Sequence, residues 1–243
     1  METLEKTYNV PSNGVFGGPK QITLRAMTTR EEKILYSSRD ANFMRRLVKS
    51  CCVEPKDLDI GLLHQNDILF LTFALRELTF GNTYEQEITC PECGAHQEVE
   101  IDIADMDVSI LDTKELDKKL TVKLPVNGDT LQLKLLSIGE SDKIERLVKN
   151  KAAKGKLKNP QDYEFLLKLM ALIDTRNGEE FESQEEKQNY TDNLHLRDLN
   201  TIQNALLKIG FGIDNSNIVV CSNCEEEIEV TGLISPEFFR PTE

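Results

Sequence analysis

The sequence predicts an α+β fold in which a strand-and-helix unit occurs twice, and each unit ends in a Cys-x-x-Cys turn between two strands. The first turn lies within residues 88–101 and the second within residues 218–230. On both sides of each turn apolar and polar residues alternate, which is typical of half-buried strands. Segments with apolar residues at helical spacing precede each turn. We therefore predict internally duplicated units whose two zinc knuckles together form a split zinc ribbon.

The cysteines of the two turns form one candidate tetrahedral thiolate set: Cys90, Cys93, Cys221 and Cys224. Two residues between thiolates let the chain curl until both sulfurs face one point. Gly94 follows the first pair and permits the positive φ that such a turn often needs. Four thiolates are the ligands that zinc takes in closed structural sites, so structural zinc is the expected cofactor.

The distance along the chain leaves other interpretations of these cysteines open. The pairs are separated by far more than the roughly 15 to 20 residues of a compact ribbon, so the fold must bring them together. Disulfides, metal-free thiols and separate half-sites are the alternatives. His96 could replace a ligand, although an exposed loop position is the simpler interpretation. Cys51 and Cys52 lie on a predicted helix, where small buried apolar residues are expected.

Composition narrows the class of partner. The 243 residues carry a net charge of −13, which argues against a general nucleic-acid or anionic-membrane surface, so protein partners are expected. The longest apolar run, residues 68–75, is shorter than the about 20 residues that span a bilayer. The first residues show no secretory signal pattern. A reducing cytoplasm follows as the expectation, and it favours thiolate ligands over disulfides.

Glycine, proline and charge patterns divide the chain. Two prolines and three glycines between positions 11 and 19 predict an arm without a core of its own. An acidic, mixed stretch separates the two units and suggests a connector with a short helix. The predicted segments are an N-terminal arm (1–20), a first α+β half (21–104), a connector (105–120), a second α+β half (121–232) and a C-terminal tail (233–243).

In the first half, a strand at residues 22–24 precedes a helix that begins at a capping box. The box pairs Thr28 with Glu31, or the next residues along, Thr29 with Glu32. A second helix follows Asp40 as its cap and ends before a proline.

The third predicted helix, residues 65–78, has the strongest apolar pattern in the chain. Asn66 or Asp67 is the expected cap, and Gly81 ends the helix. Its apolar surface is broad enough to be buried on most sides.

The second half opens on the clearest hairpin signal. Alternating segments flank Asn127 and Gly128, a pair that accepts positive φ at both turn positions. Ser137 or Ser141 caps the next predicted helix. The basic stretch at 149–158 is interpreted as a solvated loop in preference to a phosphate contact.

Two further helices complete the second half, one through residues 165–173 with Asp162 as its expected cap and one at residues 198–209. The elements from 22 to 103 thus match those from 131 to 230 in order. If the halves pack with pseudo-two-fold symmetry, the two Cys-x-x-Cys turns meet.

No pattern in the sequence indicates catalysis. A Gly-rich phosphate loop, His-Glu-x-x-His and Gly-x-Ser-x-Gly are absent, and no partner can be assigned to His64, His96 or His195. A catalytic zinc keeps an open coordination position, whereas four cysteines leave none. We expect a protein that is not an enzyme.

Four stretches, taken in succession, resemble the baseplate hub subunit family of T-even-type contractile-tailed bacteriophages: 27–35, 67–85, 89–94 and 233–241. The resemblance implies a non-enzymatic virion or assembly protein, made in the infected bacterial cytoplasm and built into the hub or inner baseplate of the tail. It implies other baseplate and hub proteins as partners, with multiple copies around the tail axis left open, and no nucleic acid or membrane. The Cys-x-x-Cys positions would be structural.

Two other functions stay open from the sequence. A tail assembly chaperone would differ only in being absent from the finished particle. A cellular zinc-ribbon adaptor in transcription or RNA processing is the alternative of another class, but the glutamates around both turns count against nucleic-acid contact.

The end of the chain carries Phe238 and Phe239 followed by Arg240 and Pro241. Exposed aromatics beside an arginine suit an anchor for a partner's pocket. The alternative is that these residues fold back on their own core, and the sequence leaves both open.

Overall fold

The computed structural model describes residues 4–36, 42–231, 234 and 236–239, which form a mixed α+β fold with small antiparallel sheets. The strands are β1 Glu5–Asn9, β2 Gln21–Arg25, β3 Cys52–Glu54, β4 Thr83–Thr89, β5 His96–Asp102, β6 Val108–Ser109, β7 Thr121–Lys123, β8 Thr130–Leu133, β9 Ile173–Arg176, β10 Gly212–Ile213, β11 Ser216–Val220 and β12 Glu227–Thr231. The helices are α1 Thr29–Tyr36, α2 Phe43–Cys51, α3 Gln65–Phe80, α4 Leu116–Lys119, α5 Ile138–Ala153, α6 Pro160–Leu172, α7 Gln184–Asp192 and α8 Leu196–Leu207, with 3-10 turns at Ile60–Leu62, Ile103–Asp105 and Pro236–Phe239.

The two halves share the order and pairing of their elements. β1, β2 and β3 form one antiparallel sheet, and β7, β8 and β9 form another in the same order. In each sheet two helices separate the second and third strands, and a register shift interrupts the pairing of those strands. A further helix then leads to a two-stranded ribbon: ribbon 1 (β4 and β5) or ribbon 2 (β11 and β12). The second half also contains α7, which the sequence did not predict.

The N-terminal residues differ from the predicted arm. β1 pairs with β2 along its whole length, and Tyr8 and Val10 are buried in the core. The run rich in glycine and proline forms the connection between these strands, where Asn13, Gly14 and Gly17 adopt positive φ. Those residues therefore form a turn within a sheet, and the described part of this segment packs into the core of the first half.

The described residues form two hydrophobic cores, and the 3-10 turn at Pro236–Phe239 contributes to the first of them. Helix α3 lies at the centre of the first core, where nine of its sixteen residues are buried, as its apolar pattern predicts. Ile228 and Val230 of ribbon 2 pack into this core together with Phe238 and Phe239. The second core joins the β7–β9 sheet to α6 and α8. The last part of the sequence thus completes the core of the first half.

Phe238 and Phe239 are buried, so the fold-back alternative describes these residues. The buried guanidinium of Arg76 donates to the carbonyl of Phe238 (3.0 Å), and also to those of Gly81 (2.9 Å) and Thr83 (2.7 Å). One side chain therefore holds the 3-10 turn, the end of α3 and the start of ribbon 1 together. The predicted Arg240 and Pro241 contacts lie outside the described residues.

A histidine and a buried aspartate fix the start of α3. His64 is the N-cap, and its Nδ1 accepts from the backbone N–H of Asn66 (3.1 Å). Asp67 accepts from the backbone N–H groups of His64 and of Ser12, in the β1–β2 connection, both at 2.8 Å. The expected cap at Asn66 or Asp67 is thus displaced to His64, because the histidine ring reaches the second helical N–H.

The same arrangement begins α8. Nδ1 of His195 accepts from the backbone N–H of Arg197 (3.1 Å), and Asp198 accepts from those of Val126 (2.8 Å) and Asn127 (3.1 Å) in the β7–β8 turn. The histidine and the aspartate each follow their first-half counterparts by 131 positions. A His-x-x-Asp motif therefore ties a helix to a strand connection in both halves.

Asp67→Asn and Asp198→Asn are each expected to destabilise the fold by about 2 kcal/mol, because an amide nitrogen would face a buried backbone N–H without an acceptor. The two sites share no partners, so the effects should add within about 0.5 kcal/mol in the double variant. Urea unfolding measures this, with exposed Asp192→Asn as the control. Equal stability of all variants would show that these carboxylates do not hold the turns.

Other predicted caps and turns are confirmed in part. Ser137 forms a capping box with Glu140 and begins α5, and the Thr28–Glu31 pair begins α1. Helix α6 begins earlier than predicted, with Asn159 as its cap in place of Asp162. The Asp40 cap lies outside the described residues.

The β7–β8 hairpin forms where predicted, but its turn differs from the predicted one. The connection spans residues 124–129, and of the predicted pair only Gly128 has positive φ (+76°). Because Asp198 binds the backbone N–H groups of Val126 and Asn127, the aspartate and not a tight two-residue turn sets the conformation.

Glu31 gives the fold a predictable acid sensitivity. Its side chain is 0% exposed and accepts from Arg25 (2.9 Å), from the Ser50 hydroxyl (2.7 Å) and from Thr28. Burial raises the pKa of Glu31, but these hydrogen bonds outweigh burial and lower it to about 2. Because the folded pKa lies below the unfolded value, the stabilisation is present above about pH 4.5 and is lost as the pH falls toward 2.

Glu31→Gln is therefore expected to lose about 2 kcal/mol at neutral pH, and this difference should shrink steadily below about pH 4.5. Denaturant unfolding from pH 7 to pH 3 measures the difference, and the exposed Glu54→Gln is the matched control. A difference that does not change with pH would contradict the assignment.

Candidate metal centre

The fold brings the four predicted cysteines together between the tips of the two ribbons. All four sulfurs lie within 4.8 Å of one another, and the Cys90–Cys224 and Cys93–Cys221 pairs are each 3.7 Å apart. Tetrahedral zinc with Zn–S bonds of about 2.3 Å separates its sulfurs by about 3.8 Å. The spacing and the donor set therefore fit one closed metal site, and the long separation in sequence is no obstacle.

The two turns have the same backbone geometry. In the first, the N–H of Gly94 donates to the carbonyl of Cys90 (3.0 Å), and in the second, the N–H of Glu225 donates to that of Cys221 (3.0 Å). Gly94 has φ +70°, as predicted, and Glu225 has φ +61°. The turn thus requires positive φ at the residue after its second cysteine, and both glycine and glutamate adopt that conformation here.

The site lies partly in the core and partly at the surface. Cys90 and Cys221 are buried in the first hydrophobic core, whereas Cys93 and Cys224 are exposed. Each turn contributes one cysteine of each kind. A metal here would be anchored in the core that the two halves share.

Hydrogen bonds to sulfur prepare two of the thiols for a metal. The Asn223 side chain, and then the N–H of Ala95, lower the pKa of Cys93 to about 6. Backbone N–H groups of Asn223 and Cys224 lower the pKa of Cys221. The N–H of Glu226 also favours the Cys224 thiolate, but Cys93 and the other sulfurs outweigh it and raise the pKa of Cys224 to about 12. Metal binding would release the protons that remain on the set.

A family model described as "T4 bacteriophage base plate protein" matches residues 1–240. The chain belongs to this baseplate family. No curated protein and no solved structure matches the chain. The resemblance drawn from the sequence is thus confirmed at the level of a T4-type phage baseplate protein. Membership of this family implies a structural role in the baseplate, a location in the virion tail and contacts with other baseplate proteins. Among the described residues, no helix has both the length and the apolar character that crossing a membrane requires.

Gln97 joins the two ribbons of the baseplate protein beside the cysteines. Its Oε1 accepts from the backbone N–H (2.8 Å) and the hydroxyl (3.0 Å) of Ser222, and its Nε2 donates to the carbonyl of Val220 (3.2 Å). These contacts are direct and do not involve a metal. They fix the second Cys-x-x-Cys turn against strand β5.

The remaining candidate ligands lie outside the four-sulfur group. His96 Nδ1 is 2.9 Å from Thr89 Oγ1, across its own ribbon, so the histidine does not replace a cysteine in this arrangement. Cys51 is buried in the first core, as expected for a small apolar residue. Cys52 was predicted to lie on a helix but is the first residue of β3, where its thiol donates to the carbonyl of Pro55 (3.3 Å).

Contacts between the halves place ribbon 2 of the baseplate protein near ribbon 1. Asn66 at the start of α3 donates to the carbonyl of Phe211 (2.8 Å), and β10 pairs with β6. Gly212 lies so close to Asn66 that an added Cβ would come within 2.9 Å of it. Ribbon 2 therefore leaves from a point fixed on the first half.

Sequence reasoning missed Gln97, Asn223 and the His-x-x-Asp motifs. One signal was available for the motifs: each cysteine of the second turn follows its counterpart by 131 positions, and so do His195 and Asp198. Gln97 and Asn223 have no such signal, because their roles depend on how the ribbons pack.

Proposed function

We propose that this baseplate protein is a structural component of the hub or inner baseplate that acts through protein–protein contacts and is stabilised by one structural zinc ion. The family match over residues 1–240 carries the proposal, because it covers nearly the whole chain. The resemblance of four stretches to hub subunits supports the more specific position at the hub. A cellular zinc-ribbon adaptor is disfavoured by the same match.

Zinc would be held by Cys90, Cys93, Cys221 and Cys224, each offering one sulfur to a tetrahedral site. The ion would join two turns that belong to different halves, which makes the site a split zinc ribbon. The repeated offset of 131 positions in cysteines, histidines and aspartates supports an origin by internal duplication. Four thiolates would leave no open coordination position, so the proposal includes no enzymatic activity.

The test uses a phage whose gene for this chain carries an early stop codon, with the wild-type chain supplied from a plasmid as the control. Electron microscopy of the lysate without the plasmid should show particles that lack complete baseplates. Normal baseplates and full infectivity would overturn the proposal.

Mass spectrometry of purified wild-type virions separates the two versions of this role. A structural component should be present in a fixed number of copies. Defective baseplates in the stop mutant, together with absence of the chain from wild-type virions, would instead identify a tail assembly chaperone.

A further inference from the structure

Ribbon 1 serves as an internal control for ribbon 2 and shows that part of the ribbon 2 surface is not required by the fold. Ile218 and Val220 of ribbon 2 are 71% and 59% exposed. The positions 131 residues earlier, in ribbon 1, are Glu87 and Thr89, which are polar and also exposed. The ribbon therefore tolerates polar residues at these positions, and the exposed aliphatic pair needs another explanation.

Acidic residues accompany this aliphatic pair on the adjacent strand. Glu229 lies opposite Ile218, and Glu227 lies opposite Val220, in the β11–β12 register. Residues 216–231 contain four glutamates and no lysine or arginine. The surface is thus apolar with a negative border, which suits a partner that is apolar with a positive border.

The α5–α6 hairpin is longer than its first-half counterpart, the α1–α2 pair. Its helices have 16 and 13 residues, whereas α1 and α2 have 8 and 9. Leu147 and Phe165 on the longer helices are 43% and 51% exposed. Residues 146–158 carry six basic side chains and no acidic one, on a chain whose net charge is −13. The connecting end of this hairpin, residues 146–158, is therefore basic and includes the exposed Leu147.

We propose that the exposed face of ribbon 2 binds the α5–α6 hairpin of a second copy of this chain. Both surfaces expose apolar side chains, and their charges are opposite, so they complement each other. The rest of the acidic chain would repel a second copy. Because the two surfaces are different, the contact is heterologous, and a pair of copies keeps one unused hairpin on one copy and one unused ribbon on the other. Copies therefore add head to tail into a ring or an open chain. The inference rests neither on the baseplate role nor on zinc.

Two double variants of the full chain separate the surfaces. Ile218→Thr with Glu229→Lys changes the ribbon face, and Lys154→Glu with Lys156→Glu changes the exposed tip of the hairpin. The matched controls make similar changes elsewhere. Glu87→Thr with Glu98→Lys alters the equivalent positions of ribbon 1, and Lys114→Glu with Lys119→Glu reverses two exposed lysines near α4.

Sedimentation velocity should show wild-type self-association that weakens when salt is raised from about 0.05 M to about 0.5 M, because screening reduces the charge attraction. Each surface variant should weaken self-association at least about tenfold, which corresponds to about 1.4 kcal/mol. The two controls should associate like the wild type. Circular dichroism and thermal unfolding confirm that every variant is folded.

Mixing the two surface variants gives the decisive result. One retains a working hairpin and the other a working ribbon, so the mixture should form a one-to-one complex that does not grow further. A wild-type chain that stays monomeric up to about 0.2 mM, well above the Kd range of stable complexes, would overturn the proposal. So would a surface variant that associates like the wild type, or a mixture without the one-to-one complex.

Discussion

Cys90→Ser and Cys221→Ser are each expected to reduce bound zinc from one ion per chain to none. All four sulfurs converge on one point, so either half alone supplies only two ligands and a single substitution leaves three. The free energy of zinc binding contributes to the free energy of folding, so loss of zinc should destabilise this chain by at least about 3 kcal/mol. The two hydrophobic cores remain, so the variants should still fold. We expect the two variants to behave alike although they lie in different halves.

Elemental analysis and thermal unfolding of purified chains, before and after chelation, measure these effects. Cys52→Ser is the matched control, since Cys52 lies outside the four-sulfur group and should leave both zinc and stability unchanged. A wild-type chain without metal would contradict the zinc proposal. Zinc retained in either variant at wild-type affinity would contradict a site shared by both halves.

Deleting residues 236–243 is expected to destabilise the fold by about 5 kcal/mol or more. The deletion removes two buried aromatic rings from the first core, and a single buried Phe→Ala change already costs about 3 to 5 kcal/mol. It also takes away the carbonyl of Phe238, which the buried guanidinium of Arg76 binds. A docking segment would behave differently, because its removal would weaken partner binding and leave the fold stable.

Denaturant unfolding distinguishes these outcomes. Phe239→Ala should reproduce most of the effect, whereas Phe165→Ala, at a half-exposed position of α6, should cost less than about 1 kcal/mol. Stability unaffected by the deletion would show that the aromatic pair does not complete the core.

The parts of the fold that depend on local chemistry were predictable from the sequence. The paired cysteines identified the candidate metal ligands that the fold brings together, the apolar breadth of α3 identified the central helix, and Ser137 identified the start of α5. In each case neighbouring residues along the chain determine the outcome. The common order of elements in the two halves was also readable, because strands and helices have different periods of apolar residues.

The parts that depend on distant contacts were not predictable in the same way. β1 has only one buried residue, Tyr8, so its strand character comes from pairing with β2. The aromatic pair near the C-terminus looked equally suited to a partner's pocket, and only the packing of the first core, with Arg76 bound to Phe238, shows where it lies. Gln97 acquires its role only because ribbon 2 packs beside it.

The packing of ribbon 2 and Phe239 into the first core has a consequence for synthesis of the chain on the ribosome. The strands and helices of the first half are all made by residue 103, yet their core is completed by a residue 136 positions later. At about 5 to 20 residues per second, the nascent first half waits roughly 7 to 27 s with apolar surface uncovered. We expect host chaperones to bind the nascent chain during that interval, and a translational pause after residue 103 would lengthen its exposure.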